Sequence, residues 1–421
     1  MFLAVMISVH ADATGSLDSL LQQSRVELNA AMAPQLCARC DIEITRRNDS
    51  REHIVANAVG GRRKVRGFFC RKCNSSAGRK WDAAAANQLN FLALHLTRRR
   101  DRGEVRPGDY TTLPGMPVRI HQDGHLSFPR SAPEVVERGS GVEIRARVTT
   151  RKEARELLQG FKRSYPKLNV EESMQGVVEE QKYLSEKVGA VCYFGGPQSG
   201  RSIVKSAFAL AVASGVVAQT CNQARSYLKR EDGEPCFGYY YERDLVTNRP
   251  IDRVLHCVAI KGDPVTGKLF GYVELFSVYR MIVGLSDQYC GIRLFNSYAI
   301  DPTSGEELDF DFDLSLTEDE VRTAISNQHD YTAELVLAFE SAVAIAQSRS
   351  FASEQMRVAK VAWTGAVAKL GLSPGQEMTA EIATALSREI VSRMQPFLAH
   401  LISARRPPTI ARPQTQACPE K

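Results

Sequence analysis

The sequence predicts an α+β protein in which a small cysteine-rich module is followed by a mixed α+β body and by C-terminal helices. Three observations support this fold class. Two Cys-x-x-Cys pairs stand near the N-terminus, strand-like segments separated by turn residues fill the middle of the chain, and long segments with helical periodicity follow residue 316. The chain has 421 residues, of which 43% are hydrophobic and 24% charged, so it can bury substantial cores. This composition excludes a disordered or collagen-like protein.

Composition and patterning divide the chain into six regions. They are an N-terminal extension (1–32), the cysteine-rich module (33–97), a charged linker with Gly and Pro (98–115), an α+β domain without an assigned role (116–315), a helical segment (316–405) and a Pro-rich tail predicted to be disordered (406–421). The longest apolar run, residues 1–9, is too short to span a bilayer, so we expect no membrane partner.

Local patterns predict the elements of the body in order. Strand patterns appear at 118–121, 126–128 and 142–148, and a β-rich block spans 253–300 around a turn sequence at 262–267. Helical periodicity covers 151–162 and 202–214. Thr317 and Glu320 form a capping-box pattern that begins a helix. Further helices are predicted over 331–349, 353–371 and 377–404.

Positive charge is concentrated in one segment of the chain. Residues 37–106 contain 17 Lys and Arg against 7 Asp and Glu, whereas the whole chain has a net charge of only +6. The remainder of the chain is therefore slightly acidic. This asymmetry indicates a module that faces a polyanion, attached to a nearly neutral body.

The four N-terminal cysteines are predicted to bind one zinc ion. Cys37 and Cys40 form the first pair and Cys70 and Cys73 the second, and each turn presents two thiolates to one metal. Because thiolates would fill all four positions, the zinc would be structural. A site of reduced thiolates favours a cytoplasmic location. The other six cysteines are dispersed along the chain and are expected to be small buried residues.

The 29 residues between the two pairs contain side chains suited to chemistry. The motif reads EHIV from Glu52, then GG, and the second pair is followed at once by Asn74 and an Ala-rich segment predicted to be helical to about Leu96. A hairpin followed by a helix, with zinc clamping both ends, would bring Glu52, His53 and Asn74 together.

With this motif, residues 35–85 resemble the HNH endonucleases, or ββα-metal nucleases, and specifically their zinc-stapled branch with four cysteines. The resemblance implies a metal-dependent endonuclease that hydrolyses DNA. It implies that Glu52 and Asn74 hold a catalytic divalent cation, Mg²⁺ or Mn²⁺, and that His53 activates water. It also implies a product with a 5′-phosphate and a 3′-hydroxyl.

These residue types suit phosphodiester hydrolysis. A neutral imidazole can take a proton from water near neutral pH, and a cation with oxygen ligands can neutralise charge on the phosphate. Adjacent strand residues point to opposite faces. Glu52 and His53 can therefore serve the same phosphate only if a bend redirects one of them, which this interpretation requires.

Three positions bear on the resemblance. Ala56 stands where the family often has Pro, and Gly78 stands where some members have a further ligand. Asp82 lies two helical turns beyond Asn74, or about 12 Å along a helix, so packing or an ion pair is its simpler role. Asn74 itself has an alternative role as a helix N-cap.

Eight basic residues of the module are predicted to contact DNA phosphates, and such contacts are largely independent of sequence and sensitive to salt. They are Arg62, Arg63, Lys64, Arg66, Arg71, Lys72, Arg79 and Lys80. The alternative is a solubilising surface.

Other interpretations stay open. The rival to a nuclease is a non-catalytic, zinc-containing protein that binds nucleic acid, such as a regulator. A third class is a scaffold that self-associates as a homo-oligomer through its C-terminal helices. The segment from Gly195 to Ser202 approximates a P-loop, but Arg201 replaces the phosphate-binding lysine, which favours a simple strand-to-helix turn.

Overall fold

The computed structural model describes residues 34–404 except 99, 123, 125, 129–131, 139–140, 147, 149, 179–182 and 185. The predicted extension at 1–32 and the predicted tail at 406–421 lie outside the described residues. The described part is an α+β structure, as the sequence predicts.

The N-terminal module (residues 34–97) is built from a short hairpin and a broken helix. Strand β1 (Glu52–His53) pairs antiparallel with β2 (Lys64–Val65), and a 3₁₀ turn (Asn57–Val59) lies between them. Gly60 ends this turn at a φ of 105°, a conformation that glycine adopts without steric cost. At Gly61 a Cβ atom would lie 1.8 Å from the Val55 carbonyl oxygen, so the hairpin requires the Gly-Gly pair.

The helical part of the module begins three residues earlier than the sequence predicted. It comprises α1 (Arg71–Ala77), a π-helical turn (Gly78–Asp82), α2 (Ala83–Gln88) and α3 (Asn90–Leu96). Cys70 is the N-cap, and Asn74 lies inside α1, where its N–H donates to the Cys70 carbonyl at 2.9 Å. Asn74 is therefore not a helix cap. Trp81 is buried at the π turn and packs edge-on against Phe69 of the module.

The body is organised around a six-stranded antiparallel sheet. Its strands are β9 (Phe237–Tyr239), β10 (His256–Asp263), β11 (Lys268–Leu275), β12 (Tyr279–Ser286), β13 (Leu294–Asp301) and β14 (Glu306–Leu308). Their order in the sheet is β14-β13-β10-β11-β12-β9. The β10–β11 hairpin turns within the Gly/Pro-containing segment that the sequence predicted as a turn. Both faces of this sheet are covered by buried side chains.

Two smaller sheets follow the module. Strands β3 (Gly108–Thr112), β4 (Pro117–Ile120), β5 (Leu126–Ser127) and β8 (Val188–Gly189) form a sheet in the order β5-β4-β3-β8, and β6 (Glu134–Arg138) pairs with β7 (Gly141–Arg145). Strand β3 lies within the segment predicted to be a linker. Its ladder with β4 runs from Gly108 opposite Ile120 to Thr111 opposite Pro117, and this pairing is not evident from local composition.

The central helix of the molecule is α6 (Gly196–Ala213). It is preceded by α4 (Arg151–Lys162) and α5 (Val170–Gln175) and followed by α7 (Asn222–Lys229). Every residue of α6 from Ser199 to Ala211 is buried, because one side contacts the six-stranded sheet and another contacts the module. The stretch is mostly apolar, as a helix buried on all sides requires, but it also buries Arg201 and Lys205.

The C-terminal segment is helical, as predicted, but two of its predicted helices are merged into one. Thr317 and Glu320 form the predicted capping box at the start of α8 (Glu318–Ser326). The two helices predicted over 331–349 and 353–371 are one continuous helix, α9 (Thr332–Lys369). Residues 350–352, which are Ser, Phe and Ala, include no Pro or Gly that would end a helix. Helix α10 (Ala380–Ala404) packs against α9.

Candidate functional site

Four thiols of the module converge on one point. The Sγ atoms of the predicted zinc ligands lie within 4.8 Å of one another, and Cys40 Sγ is 3.7 Å from Cys70 Sγ. Sulfur atoms in a tetrahedral zinc site with bonds of about 2.3 Å are separated by about 3.8 Å. The cluster comprises Cys37, Cys40, Cys70 and Cys73. Its spacing fits a structural zinc ion.

The environment of Cys37 favours a thiolate. A hydrogen bond from the Cys73 thiol, together with backbone donors, lowers the pKa of Cys37 to about 4. One of these donors is the Cys70 N–H, which lies 3.3 Å from Cys37 Sγ. Zinc binds thiolates rather than thiols, so these donors favour the ligand form of the side chain.

His53 is held by a carboxylate that lies beyond the module. Its Nε2 is 3.3 Å from Asp101 Oδ2, and Lys64 Nζ lies 2.6 Å from the same oxygen. Burial lowers the pKa of His53, so the imidazole is neutral near pH 7. A neutral ring that donates from Nε2 to Asp101 has its lone pair on Nδ1. The geometry thus leaves Nδ1 able to accept a proton.

Glu52 points the other way, into the interface with α6. Its carboxylate accepts a hydrogen bond from Lys205 Nζ, and the same ammonium lies 2.7 Å from Asp82 Oδ2. Ser202 donates to the second Asp82 oxygen at 2.7 Å. Glu52 is only 3% exposed and Lys205 is fully buried. Burial raises the pKa of Glu52, while the two carboxylates outweigh the effect of burial and raise the pKa of Lys205.

Glu52 and His53 therefore do not converge on one point, as the motif predicted that they would. Glu52 and His53 are the only residues of β1, they point to opposite faces of the strand, and no bend redirects either of them. Asn74 is half-buried in α1. Because Glu52 is already bonded to an ammonium, it does not fit a divalent cation in this arrangement. Asp82 has the ion-pair role that the sequence made the simpler one.

The eight basic residues predicted to contact DNA divide into two groups. Five are directed towards the protein. Four of them form ion pairs, Arg63 with Glu307, Lys64 with Asp101, Arg66 with Asp49 and Lys80 with Glu231, and the fifth, Arg62, is half-buried close to Gly305. The other three, Arg71, Lys72 and Arg79, are exposed. Only part of the predicted basic surface therefore consists of exposed basic residues for which no carboxylate partner is described.

A groove lies beside the cysteine cluster. It has a volume of about 470 Å³ and is lined by Ile42, Arg47, Asn48, Cys70, Arg71, Lys72 and Ser75. Three of these residues are basic. In this groove, exposed cationic side chains of the module meet a concave surface.

The P-loop-like segment has a structural role. Arg201, which stands in the lysine position, is buried and donates to the carbonyls of Pro197, Arg230 and Glu231. Its guanidinium also stacks 4.6 Å from the centre of the Tyr227 ring. The side chain is thus occupied by the protein. The segment forms the first turns of α6 and not a strand-to-helix turn, because strand β8 already ends at Gly189 and the helix begins at Gly196.

Sequence reasoning missed two residues of the site, Asp101 and Lys205. Asp101 lies in the segment predicted to be a linker, where an acidic residue carries no signal. Lys205 had a visible signal, because it is the one charged residue in the apolar run SIVKSAFALAVA, and a lone charge in a buried helix requires a partner. The identity of that partner was not visible.

Comparisons with known proteins agree with the resemblance. A family model described as HNH endonuclease matches residues 37–90, which include the four cysteines, the hairpin and most of the broken helix. No curated protein and no solved structure matches the chain significantly. Residues 37–90 therefore form an HNH endonuclease domain with a four-cysteine cluster. A domain of this family implies a function on nucleic acid. Within the described residues, no helix is long and apolar enough to cross a membrane.

Proposed function

We propose that this protein is an endonuclease that hydrolyses DNA phosphodiester bonds with His53 as the general base. The observation that carries the proposal is the state of His53 inside the HNH domain. Its imidazole is neutral and its Nε2 is engaged by Asp101, so Nδ1 can accept a proton. A base of this kind is the group that activation of water near pH 7 requires.

Each described residue has a defined task in this proposal. His53 Nδ1 takes the proton from the attacking water, and Asp101 keeps the proton on Nε2 and stabilises the imidazolium that forms, as a carboxylate does in hydrolytic triads. Lys64 balances the charge of Asp101. The expected product has a 5′-phosphate and a 3′-hydroxyl. The four cysteines and their zinc hold the hairpin against α1, and a reducing cytoplasm would keep these thiols available for zinc.

The catalytic cation is a separate part of the proposal. By resemblance, Glu52 and Asn74 are the ligands of Mg²⁺ or Mn²⁺, which would supply charge neutralisation at the phosphate. In the arrangement described, Glu52 is bound to Lys205. The cation can use Glu52 only after this carboxylate is released, so we derive no step of hydrolysis through it.

A plasmid-cleavage assay in Mg²⁺ or Mn²⁺ tests the proposal. We compare the full-length wild type with His53→Ala and with His329→Ala, a matched control on an exposed histidine of the body. Loss of the general base should reduce the cleavage rate about 10²- to 10⁴-fold, while the control should cleave as the wild type does. Asp101→Asn should give a smaller loss. Full activity of His53→Ala would contradict the assignment of the base.

One observation favours a second candidate, the non-catalytic nucleic-acid-binding protein. The buried Lys205 already neutralises Glu52, so the first residue of the motif has a structural partner that needs no cation. This candidate predicts that the wild type binds DNA yet leaves plasmid intact in every divalent metal, and that His53→Ala binds DNA as tightly as the wild type does.

A further inference from the structure

The contact between the HNH domain and the body centres on one charged residue. Lys205 lies in the middle of the buried run of α6, outside the segment that matches the family. Close by, Phe208 of the same helix packs edge-on against Phe68 of the domain, with ring centres 5.1 Å apart. The lysine is thus held in place by apolar packing on the same helix.

Negative charges outnumber positive charges at this contact. Two carboxylates, from Glu52 and Asp82, share the single ammonium of Lys205. Burying a charge is costly unless it is paired, so each carboxylate depends on that ammonium. A divalent cation at Glu52 would have to bind the same carboxylate, and two cations at contact distance repel each other strongly in a buried site. The ammonium and the divalent cation therefore exclude one another.

We propose that Lys205 is an internal counter-cation that keeps divalent metal from Glu52 as long as α6 is packed on the HNH domain. The body would then control the metal occupancy of the domain, because the lysine can leave only if α6 and the hairpin separate locally or the side chain changes its path. The inference rests on the proposed function for the choice of a divalent cation as the competing ligand.

Binding of Mn²⁺ to the zinc-loaded, full-length protein tests this role. Lys205→Met keeps an unbranched stem and removes the charge, Lys205→Arg keeps the charge, and Lys261→Met is a matched control on a half-buried lysine of the body. Free Mn²⁺ is measured by its electron paramagnetic resonance signal. We expect Lys205→Met to bind one additional Mn²⁺ at least about 100-fold more tightly than the wild type, because its two carboxylates have lost their counter-charge. Both other variants should behave as the wild type does.

A second substitution locates the new site. Adding Glu52→Gln to Lys205→Met should abolish the gain in Mn²⁺ binding. If Lys205→Met does not fold alone, Mn²⁺ added during refolding should restore its structure, and should not restore that of the double variant, since a ligand that binds only the folded state stabilises it.

Several results would overturn the role of Lys205. They are a wild type that binds Mn²⁺ as tightly as Lys205→Met does, a gain that survives Glu52→Gln, and a Lys205→Met protein that neither binds Mn²⁺ nor refolds with it. Plasmid cleavage is scored separately. A gain of Mn²⁺ binding without cleavage by any variant would contradict the nuclease and support the counter-cation. Cleavage by the wild type, with no gain in Mn²⁺ binding by Lys205→Met, would support the nuclease and contradict the counter-cation.

Discussion

His256 shows how one side chain joins the HNH domain to the body. It is fully buried, its Nε2 donates to the Val59 carbonyl at 2.8 Å, and its Nδ1 accepts from the Phe276 N–H at 3.1 Å. Both ring nitrogens are used only by the neutral form with the proton on Nε2. Burial lowers the pKa of His256 to about 4, against the opposing influence of Glu274 and Asp301.

This geometry predicts a specific loss of stability in acid. The pKa of His256 is lower in the folded state than in the unfolded state, where it is about 6.5, so the unfolded state binds the proton more tightly. The stabilisation is complete above about pH 6.5 and is lost as the pH falls towards 4. By pH 5 the loss should be about 2 kcal/mol in the free energy of unfolding.

Urea unfolding at pH 7.5 and pH 5 measures this loss. His256→Gln retains a donor and an acceptor but does not titrate, so its stability should change less between the two pH values than that of the wild type. Protonation of other groups, including the zinc thiolates, affects both proteins equally. An identical pH dependence for the two proteins would show that His256 is not the group responsible.

At the scale of elements, the first turn of α1 presents the exposed cationic side chains of the basic groove. Arg71 and Lys72 follow the N-cap Cys70 directly and line the groove beside the cysteine cluster. We predict that Arg71→Gln/Lys72→Gln weakens binding to a DNA duplex irrespective of its sequence. The slope of log K against log salt concentration should fall by about 2, because two phosphate contacts are removed.

Fluorescence anisotropy over a range of salt concentrations tests this prediction. Lys152→Gln/Lys360→Gln removes two exposed charges from the body and is the matched control. If both double variants lower the slope equally, the effect reflects the net charge of the protein, and Arg71 and Lys72 have no special role.

The packing of α10 against α9 leaves an apolar surface exposed on α9. Met356 and Trp363 of α9 and Leu370, its C-cap residue, are exposed and spaced by seven residues, so they lie along one side of the helix. We predict that this surface supports self-association, which the sequence left open as an alternative, and that Trp363→Glu lowers the molar mass measured by light scattering. Lys360→Glu, on the same helix, is the control. A wild type that is monomeric at high concentration would contradict the prediction.

At the scale of the whole molecule, the HNH domain and the body share one hydrophobic core. A single buried cluster runs from Cys37 and Phe68 in the domain through Phe208 on α6 to Ala346 on α9. The domain is thus continuous with the body in its packing, although a family model recognises it as a separate unit of sequence.

This shared core predicts that zinc stabilises the entire chain. Removal of the metal by a strong chelator should lower the midpoint of thermal unfolding of the body by at least about 10 °C, since structural zinc contributes several kcal/mol of folding free energy. Calorimetry with and without chelator measures the shift. Cys73→Ser should reproduce it, and Cys290→Ser, an exposed cysteine outside the cluster, should not. An unchanged transition of the body would indicate that the domain unfolds independently.

The sequence by itself determined the features that depend on short spacings. Two Cys-x-x-Cys turns present thiolates wherever the chain folds, the Gly-Gly pair permits the tight hairpin, and Thr317 caps α8 through its own neighbours. The tertiary structure alone decided the partners of Glu52 and His53. Glu52 meets a lysine 153 residues away, and His53 meets an aspartate 48 residues away. The reason is physical: a polar or charged side chain pairs with whichever partner the packing of distant elements brings to it, and no local pattern records that choice.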